Sequence, residues 1–121
     1  LPALFRDKDQ FKEYNSSAMP LGVKKADNKN EFKLENFKLG EGRLYCFTDG
    51  FSECRNEKGD EIGVDGVKQL IKDYQNSSLK KELQKVAQHV EKSSTKGANF
   101  DQNASKENIL EDDLTIIGIG K

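Results

Sequence analysis

The sequence predicts an α+β fold in which an antiparallel sheet carries a pair of helices on one face. Three observations favour this class. Residues 44–47 are consecutive apolar residues between Gly42 and Gly50, a pattern typical of a central strand. Two later stretches repeat apolar residues at helical spacing. A segment rich in β-branched residues follows them and supplies a last strand.

The first half of the chain predicts a hairpin and the central strand. Residues 3–6 and 11–14 are the expected hairpin strands, and the Asp-Lys-Asp sequence at 7–9 is the expected turn. A polar loop is expected over 24–30. The apolar run 44–47 indicates a strand buried on both faces, so we expect Cys46 inside the protein as a reduced thiol.

The second half predicts two amphipathic helices and a final strand. Apolar residues at helical spacing place the first helix at 64–75 and the second at 79–90, where Ser78 is a suitable N-cap. We expect the apolar stripes of both helices to pack against the sheet. The polar stretch 93–105 predicts a loop, and residues 114–119 predict the last strand.

Composition narrows the classes of function. The 121 residues fit one domain or part of one, with 34% hydrophobic and 34% charged residues. A net charge of −1 gives no electrostatic case for binding nucleic acid. No apolar run approaches the roughly 20 residues of a membrane span. With two cysteines and no visible signal peptide, we expect a reducing, cytoplasmic setting.

Carboxylates stand at the ends of two predicted strands. Asp49 follows the run 44–47 directly after Thr48, and Asp112 with Asp113 precedes the last strand. Two strands with acidic ends could bring these carboxylates together, and hard divalent cations prefer such oxygen ligands. Two alternatives stay open from the residues alone. The Asp-Gly pair starts an ordinary turn, or the carboxylates form an acidic surface turn without a metal.

Five short motifs occur in an order that resembles a known family. They are similar to the C-terminal half of the metal-dependent serine/threonine phosphatases of the protein phosphatase 2C type, in particular the bacterial SpoIIE/RsbU-like branch. The resemblance covers nearly all of the chain apart from the polar stretch before Asp112. The motifs are Met-Pro-Leu-Gly at 19–22, Leu-Gly-Glu-Gly at 39–42, Thr-Asp-Gly-Phe-Ser-Glu at 48–53, the segment 56–63 and Asp-Asp-Leu-Thr at 112–115.

The resemblance implies a fold and a set of site residues. The family fold is an α/β/β/α sandwich, of which this chain would supply an antiparallel sheet with a helix pair on one face. Asp49 matches one metal ligand of the family, Asp112 matches another, and Asp113 stands beside it in the metal set. The residues that the resemblance implies as supports of the site are Thr48, Gly50, Glu53 and Thr115.

The resemblance also implies a reaction and its participants. In the complete domain, two Mn²⁺ or Mg²⁺ ions would activate a water that attacks the phosphorus of phosphoserine or phosphothreonine. The expected substrate is a phosphorylated regulatory protein, such as an anti-sigma-factor antagonist. An upstream sensor or receiver domain is expected in the parent chain, which leaves open a tether to the membrane through such domains.

The family carries its first metal aspartates upstream of anything present in this sequence. The chain opens on Leu1 rather than Met, so we expect residues 1–121 to be the C-terminal part of a SpoIIE-like phosphatase domain. Alone, this piece is expected to be inactive and to bind metal weakly or not at all. A homodimer could cover the sheet edge that truncation leaves open. The alternative is a non-catalytic partner-binding or assembly module derived from a degenerate phosphatase.

Overall fold

The computed structural model describes residues 1–16, 34–97 and 113–121, and these residues form an α+β fold. The predicted class is confirmed, because an antiparallel four-stranded sheet is combined with helices. The elements, in chain order, are β1 (Ala3–Asp7), β2 (Gln10–Tyr14), β3 (Arg43–Phe47), α1 (Asp49–Ser52), α2 (Gly63–Asp73), α3 (Leu79–Gly97) and β4 (Ile116–Ile119).

The sheet places β3 between two neighbours. Its strand order is β2-β1-β3-β4, and each neighbouring pair runs antiparallel. β1 and β2 form the predicted hairpin, and its turn holds Lys8 in the left-handed region at a φ of 55°. Tyr45 of β3 pairs with Leu4 on one side and with Gly118 on the other. The strand that leads to Asp49 is therefore hydrogen-bonded along both of its edges.

Helices α2 and α3 cover one face of this sheet. Tyr45 of β3 is fully buried together with Val67 of α2 and Val86 of α3. α3 lies close against β4, because a Cβ atom added at Gly118 would come within 2.9 Å of Leu79 Cδ1. The helix pair therefore packs through the apolar stripes that the sequence predicted as core faces.

The expectation that β3 is buried on both faces is wrong. Tyr45 is buried, but Cys46 is exposed, and Ile117 and Ile119 of β4 are 56% and 52% exposed. The physical reason is that apolar side chains occupy both faces of the sheet, whereas α2 and α3 cover only one of them. We refer to the other side as the open face; its apolar residues include Phe5, Leu44, Cys46, Ile117 and Ile119.

The boundaries of α3 also differ from the prediction at one end. Ser78 caps the helix as expected, since its Oγ accepts a hydrogen bond from the Lys81 N–H at 3.4 Å. The loop predicted over 93–105 is wrong as far as residue 97, because α3 continues to Gly97. Ser93 does not end the helix; its hydroxyl donates to the His89 carbonyl at 2.9 Å within the helix. Residues 98–105 lie outside the described ranges, as does the predicted loop at 24–30.

The last strand begins later than predicted, since β4 begins at Ile116 rather than at residue 114. Within the described ranges, no helix combines the length and the apolar character that crossing a membrane requires.

The one-sided core predicts a matched pair of stability changes. Ile71→Ala, at a fully buried position of α2, should lower the free energy of unfolding by about 2–5 kcal/mol because it leaves a cavity. Ile117→Ala, on the open face, should lower it by less than about 1 kcal/mol. Urea denaturation measures both values. Equal losses for the two variants would contradict an open face, since they would mean that Ile117 is covered in solution.

Candidate metal centre

Asp49 lies at the surface, where the central strand ends. β3 stops at Phe47, Thr48 continues in extended conformation, and Asp49 begins the single turn of α1. The Asp49 carbonyl accepts hydrogen bonds from the Glu53 N–H at 2.8 Å and from the Ser52 hydroxyl at 3.0 Å. These bonds occupy the backbone of Asp49, and the residue is exposed, so its carboxylate is accessible to a ligand from solvent.

Thr48 joins the two acidic motifs. It holds the N-cap position of α1, yet its hydroxyl makes no capping bond. Instead, Thr48 Oγ1 donates to the Asp113 carbonyl at 2.9 Å and accepts from the Thr115 N–H at 3.0 Å. The Thr48 N–H in turn donates to the Thr115 carbonyl at 3.0 Å. The backbone at Asp113 is therefore fixed beside the residue that immediately precedes Asp49.

Asp49 and Asp113 are both exposed. Asp112 lies outside the described ranges, so its convergence with Asp49 stays a prediction. Among residues 1–16, 34–97 and 113–121, no cluster of three or more histidine, cysteine, aspartate or glutamate residues could hold a metal. The donor chemistry nevertheless suits Mg²⁺ or Mn²⁺, because Mg²⁺ is usually bound through roughly one or two carboxylates and keeps several waters.

The loop that follows α1 is held together by Asn56. Its Oδ1 accepts hydrogen bonds from the N–H groups of Lys58 at 2.9 Å and Asp60 at 3.0 Å. The loop closes where the Ile62 N–H donates to the Cys54 carbonyl at 2.8 Å. Of the expected supporting residues, Gly50 lies inside α1 and Glu53 is its exposed C-cap. Both are thus placed beside Asp49, between the strand and this loop.

A buried charge cluster, which the sequence analysis did not predict, lies between α3 and the sheet. Glu82 of α3 is fully buried, and its carboxylate accepts hydrogen bonds from Tyr45 Oη, from Arg6 Nη2 at 3.2 Å and from Arg43 Nη1 at 3.0 Å. One signal could have revealed it: Glu82 lies four residues before Val86, on the apolar face of the predicted helix. A carboxylate at a core position of a helix requires partners.

The cluster changes the acidity of Tyr45. Burial raises the pKa of the phenol above its usual range, and the hydrogen bond to Glu82 and the charge of that carboxylate raise it further. The positive charges of Arg6 and Arg43 oppose this shift in part. Burial of the phenol is therefore the main reason why the pKa of Tyr45 is raised.

Comparison with known proteins gave one family. The family model described as stage II sporulation protein E (SpoIIE) matches residues 1–120. No curated protein and no solved structure matched the chain. The matched range includes all four strands of the sheet and both long helices. The resemblance that the five motifs indicated is thereby confirmed at the level of the family.

The raised pKa of Tyr45 predicts a loss of stability at alkaline pH. A group whose pKa is higher in the folded state stabilises the fold fully below its unfolded value, which is about 10 for tyrosine. That contribution is lost as pH rises above this value, because the unfolded chain releases the proton more readily. We expect the free energy of unfolding to fall above pH ~10, and to fall less steeply in Tyr45→Phe. Urea denaturation across this pH range measures both slopes, and identical slopes would contradict the assignment.

Proposed function

The chain belongs to the SpoIIE family, and we propose that it is the C-terminal part of a metal-dependent phosphatase domain acting on phosphoserine or phosphothreonine. The observation that carries the proposal is the bridge made by Thr48. Its hydroxyl connects the Asp49 end of β3 to the backbone at Asp113. The described part of the second acidic motif, which begins at Asp113, therefore lies beside the end of β3, and this supports a shared metal site.

We assign Asp49, Asp112 and Asp113 as the chain's metal ligands. Asp49 and Asp113 offer exposed carboxylates, and Asp112 is adjacent to Asp113 in the chain. Thr48 holds the two segments together, while α1 fixes the backbone of Asp49. When bound, Mn²⁺ or Mg²⁺ would lower the pKa of a coordinated water and neutralise charge on the phosphoryl oxygens.

Three aspartates are a small ligand set for two ions. Affinity for hard cations depends on the number and charge of the oxygen ligands, so we expect most coordination positions here to be filled by water. The chain on its own should therefore bind Mn²⁺ weakly and should not turn over a phosphorylated substrate. Activity would require the aspartates that the family carries upstream of this sequence.

The proposed substrate is a phosphorylated regulatory protein, such as an anti-sigma-factor antagonist, in the cytoplasm. This proposal extends the family membership and the motif resemblance to the phosphorylated partner. A net charge of −1 supports a protein partner over nucleic acid. An upstream sensor or receiver domain in the parent chain would supply the input signal.

The second candidate is a non-catalytic partner-binding module, and the open face favours it. Ile117 and Ile119 expose more than half of their surface there, which is typical of an interaction site when such residues are contiguous. A second copy of the chain could also occupy this face. The sequence that precedes Leu1 in the parent protein discriminates between the candidates: an aspartate-glycine metal motif favours the enzyme, and its loss favours the module.

Replacing Asp49 tests the enzyme directly. In a protein that joins this sequence to the upstream aspartates, Asp49→Asn should abolish Mn²⁺-dependent hydrolysis of a phosphoserine substrate. The change removes a charged ligand but keeps its shape, so the loss should exceed the roughly 10- to 100-fold that removal of an outer partner costs. The measurement is phosphate release with and without Mn²⁺.

Asp65→Asn is the matched control for this substitution. Asp65 lies on α2 with its side chain 96% exposed, and its nearest charged partner is Lys68 at 3.2 Å. We expect the control to retain hydrolysis within about twofold, as is usual for surface substitutions. Turnover by Asp49→Asn at the level of this control would remove Asp49 from the mechanism.

A further inference from the structure

Glu82 binds two arginines, and each of them also donates hydrogen bonds to backbone carbonyls elsewhere in the fold. Arg6 and Arg43 are register partners on β1 and β3, on the face covered by the helices. Arg6 Nη1 also donates to the Ile71 carbonyl of α2 at 3.5 Å. Arg43 donates to the carbonyls of Ser77 at 3.2 Å and Lys121 at 3.0 Å. Through two side chains, this single carboxylate is connected to both long helices and to three strands or their ends.

The same cluster also binds β3, the strand that leads to the candidate metal centre. Arg43 and Tyr45 both belong to β3, and both bind Glu82. Asp49 follows Tyr45 by four residues, or about 13 Å of extended chain. β3 is paired on both edges, so it transmits its position along its length rather than bending freely.

We propose that Glu82 is a positioning residue for the metal centre. By holding Arg43 and Tyr45 it fixes β3 against α3, and it thereby sets the point at which Thr48 binds the segment 113–115. The role in metal binding rests on the proposed function, whereas the effect on the Thr48 bridge does not. Glu82 lies in the interior, whereas Asp49 and Asp113 lie at the surface, so its effect on these two candidate ligands is indirect.

Two variants weaken the cluster to different degrees. Glu82→Gln removes the charge and turns an amide N–H₂ group towards the donors, where an acceptor is needed. Tyr45→Phe removes one donor and leaves both arginines on the carboxylate. Glu91→Gln is the matched control, because Glu91 is an exposed carboxylate on the same helix.

Amide hydrogen exchange separates positioning from general stability. The Thr115 N–H reports on the bridge, because it donates to Thr48 Oγ1. The Ile62 N–H, which donates to the Cys54 carbonyl, is the reference outside the bridge. In Glu82→Gln and Tyr45→Phe we expect exchange at Thr115 to accelerate at least about fivefold more than at Ile62, on the scale of one lost hydrogen bond. Glu91→Gln should change neither.

Each outcome of the exchange measurement either supports or contradicts the positioning role of Glu82. Equal acceleration at Thr115 and Ile62, or no acceleration at either, overturns it, because Glu82 would then support only global stability. If Glu82→Gln does not fold, Tyr45→Phe is judged by the same comparison. Titration with Mn²⁺ below the melting temperature adds a second readout: weaker binding by the folded variants than by Glu91→Gln supports positioning, and equal binding contradicts it. Absence of Mn²⁺ binding by a protein that joins this sequence to the upstream aspartates would contradict the proposed function, while the exchange ratio still decides the role of Glu82.

Discussion

The fold depends on the placement of one buried negative charge. Removing a carboxylate from water costs several kcal/mol after relaxation, so Glu82 can be buried only where donors are already arranged to meet it. Arg6, Arg43 and Tyr45 provide these donors from two adjacent strands. Loss of a single charged partner from such a cluster typically costs about 3–5 kcal/mol, because it leaves the remaining charge uncompensated.

The hydrogen bonds of Glu82 are directional, whereas the rest of the core is held together by apolar contacts. Contacts of residues such as Val86 and Val90 are favourable but non-directional, and they would tolerate small shifts of α3 over the sheet. The bonds from Glu82 to Arg43 and Tyr45 fix the helix relative to β3. β3 leads to Thr48 and Asp49 at its end, where the Thr48 hydroxyl donates a hydrogen bond to the Asp113 carbonyl of the second acidic motif. Under the proposed role of Glu82, interior charge pairing and the placement of the candidate ligands Asp49 and Asp113 are parts of one arrangement, in keeping with the close support that metal ligands require.

Much of this structure could be predicted from local sequence patterns. The hairpin, both long helices and the last strand follow from periodicity and turn residues, and the motif order identified the two acidic segments. Local pattern could not show that Cys46 is exposed. A run of apolar residues has the same appearance whether one face of its strand is covered or both are. Whether a face of the sheet is covered depends on which helices or strands pack against it, and this packing is determined by the tertiary structure.

The cluster around Glu82 was hidden for a related reason. Arg6, Arg43 and Tyr45 are separated from Glu82 by 76, 39 and 37 residues along the chain. No periodicity links residues at such distances, and only the carboxylate in an apolar stripe signalled that partners must exist. The bridge from Thr48 to Asp113 has the same character, with a separation of 65 residues. The motifs predicted that these two segments belong together, but they did not predict which group would join them.

Under the proposed function, the end of β3 and the start of the C-terminal motif form one metal-binding surface. Paramagnetic broadening of amide resonances by Mn²⁺, added well below stoichiometry, tests it most directly. We predict that the amides of residues 48–50 and 113–115 broaden first and together. Those near the exposed carboxylates Asp65 and Asp73 of α2 should broaden only at higher Mn²⁺ concentration. Broadening that begins on α2, or that affects residues 48–50 without residues 113–115, would contradict a shared site.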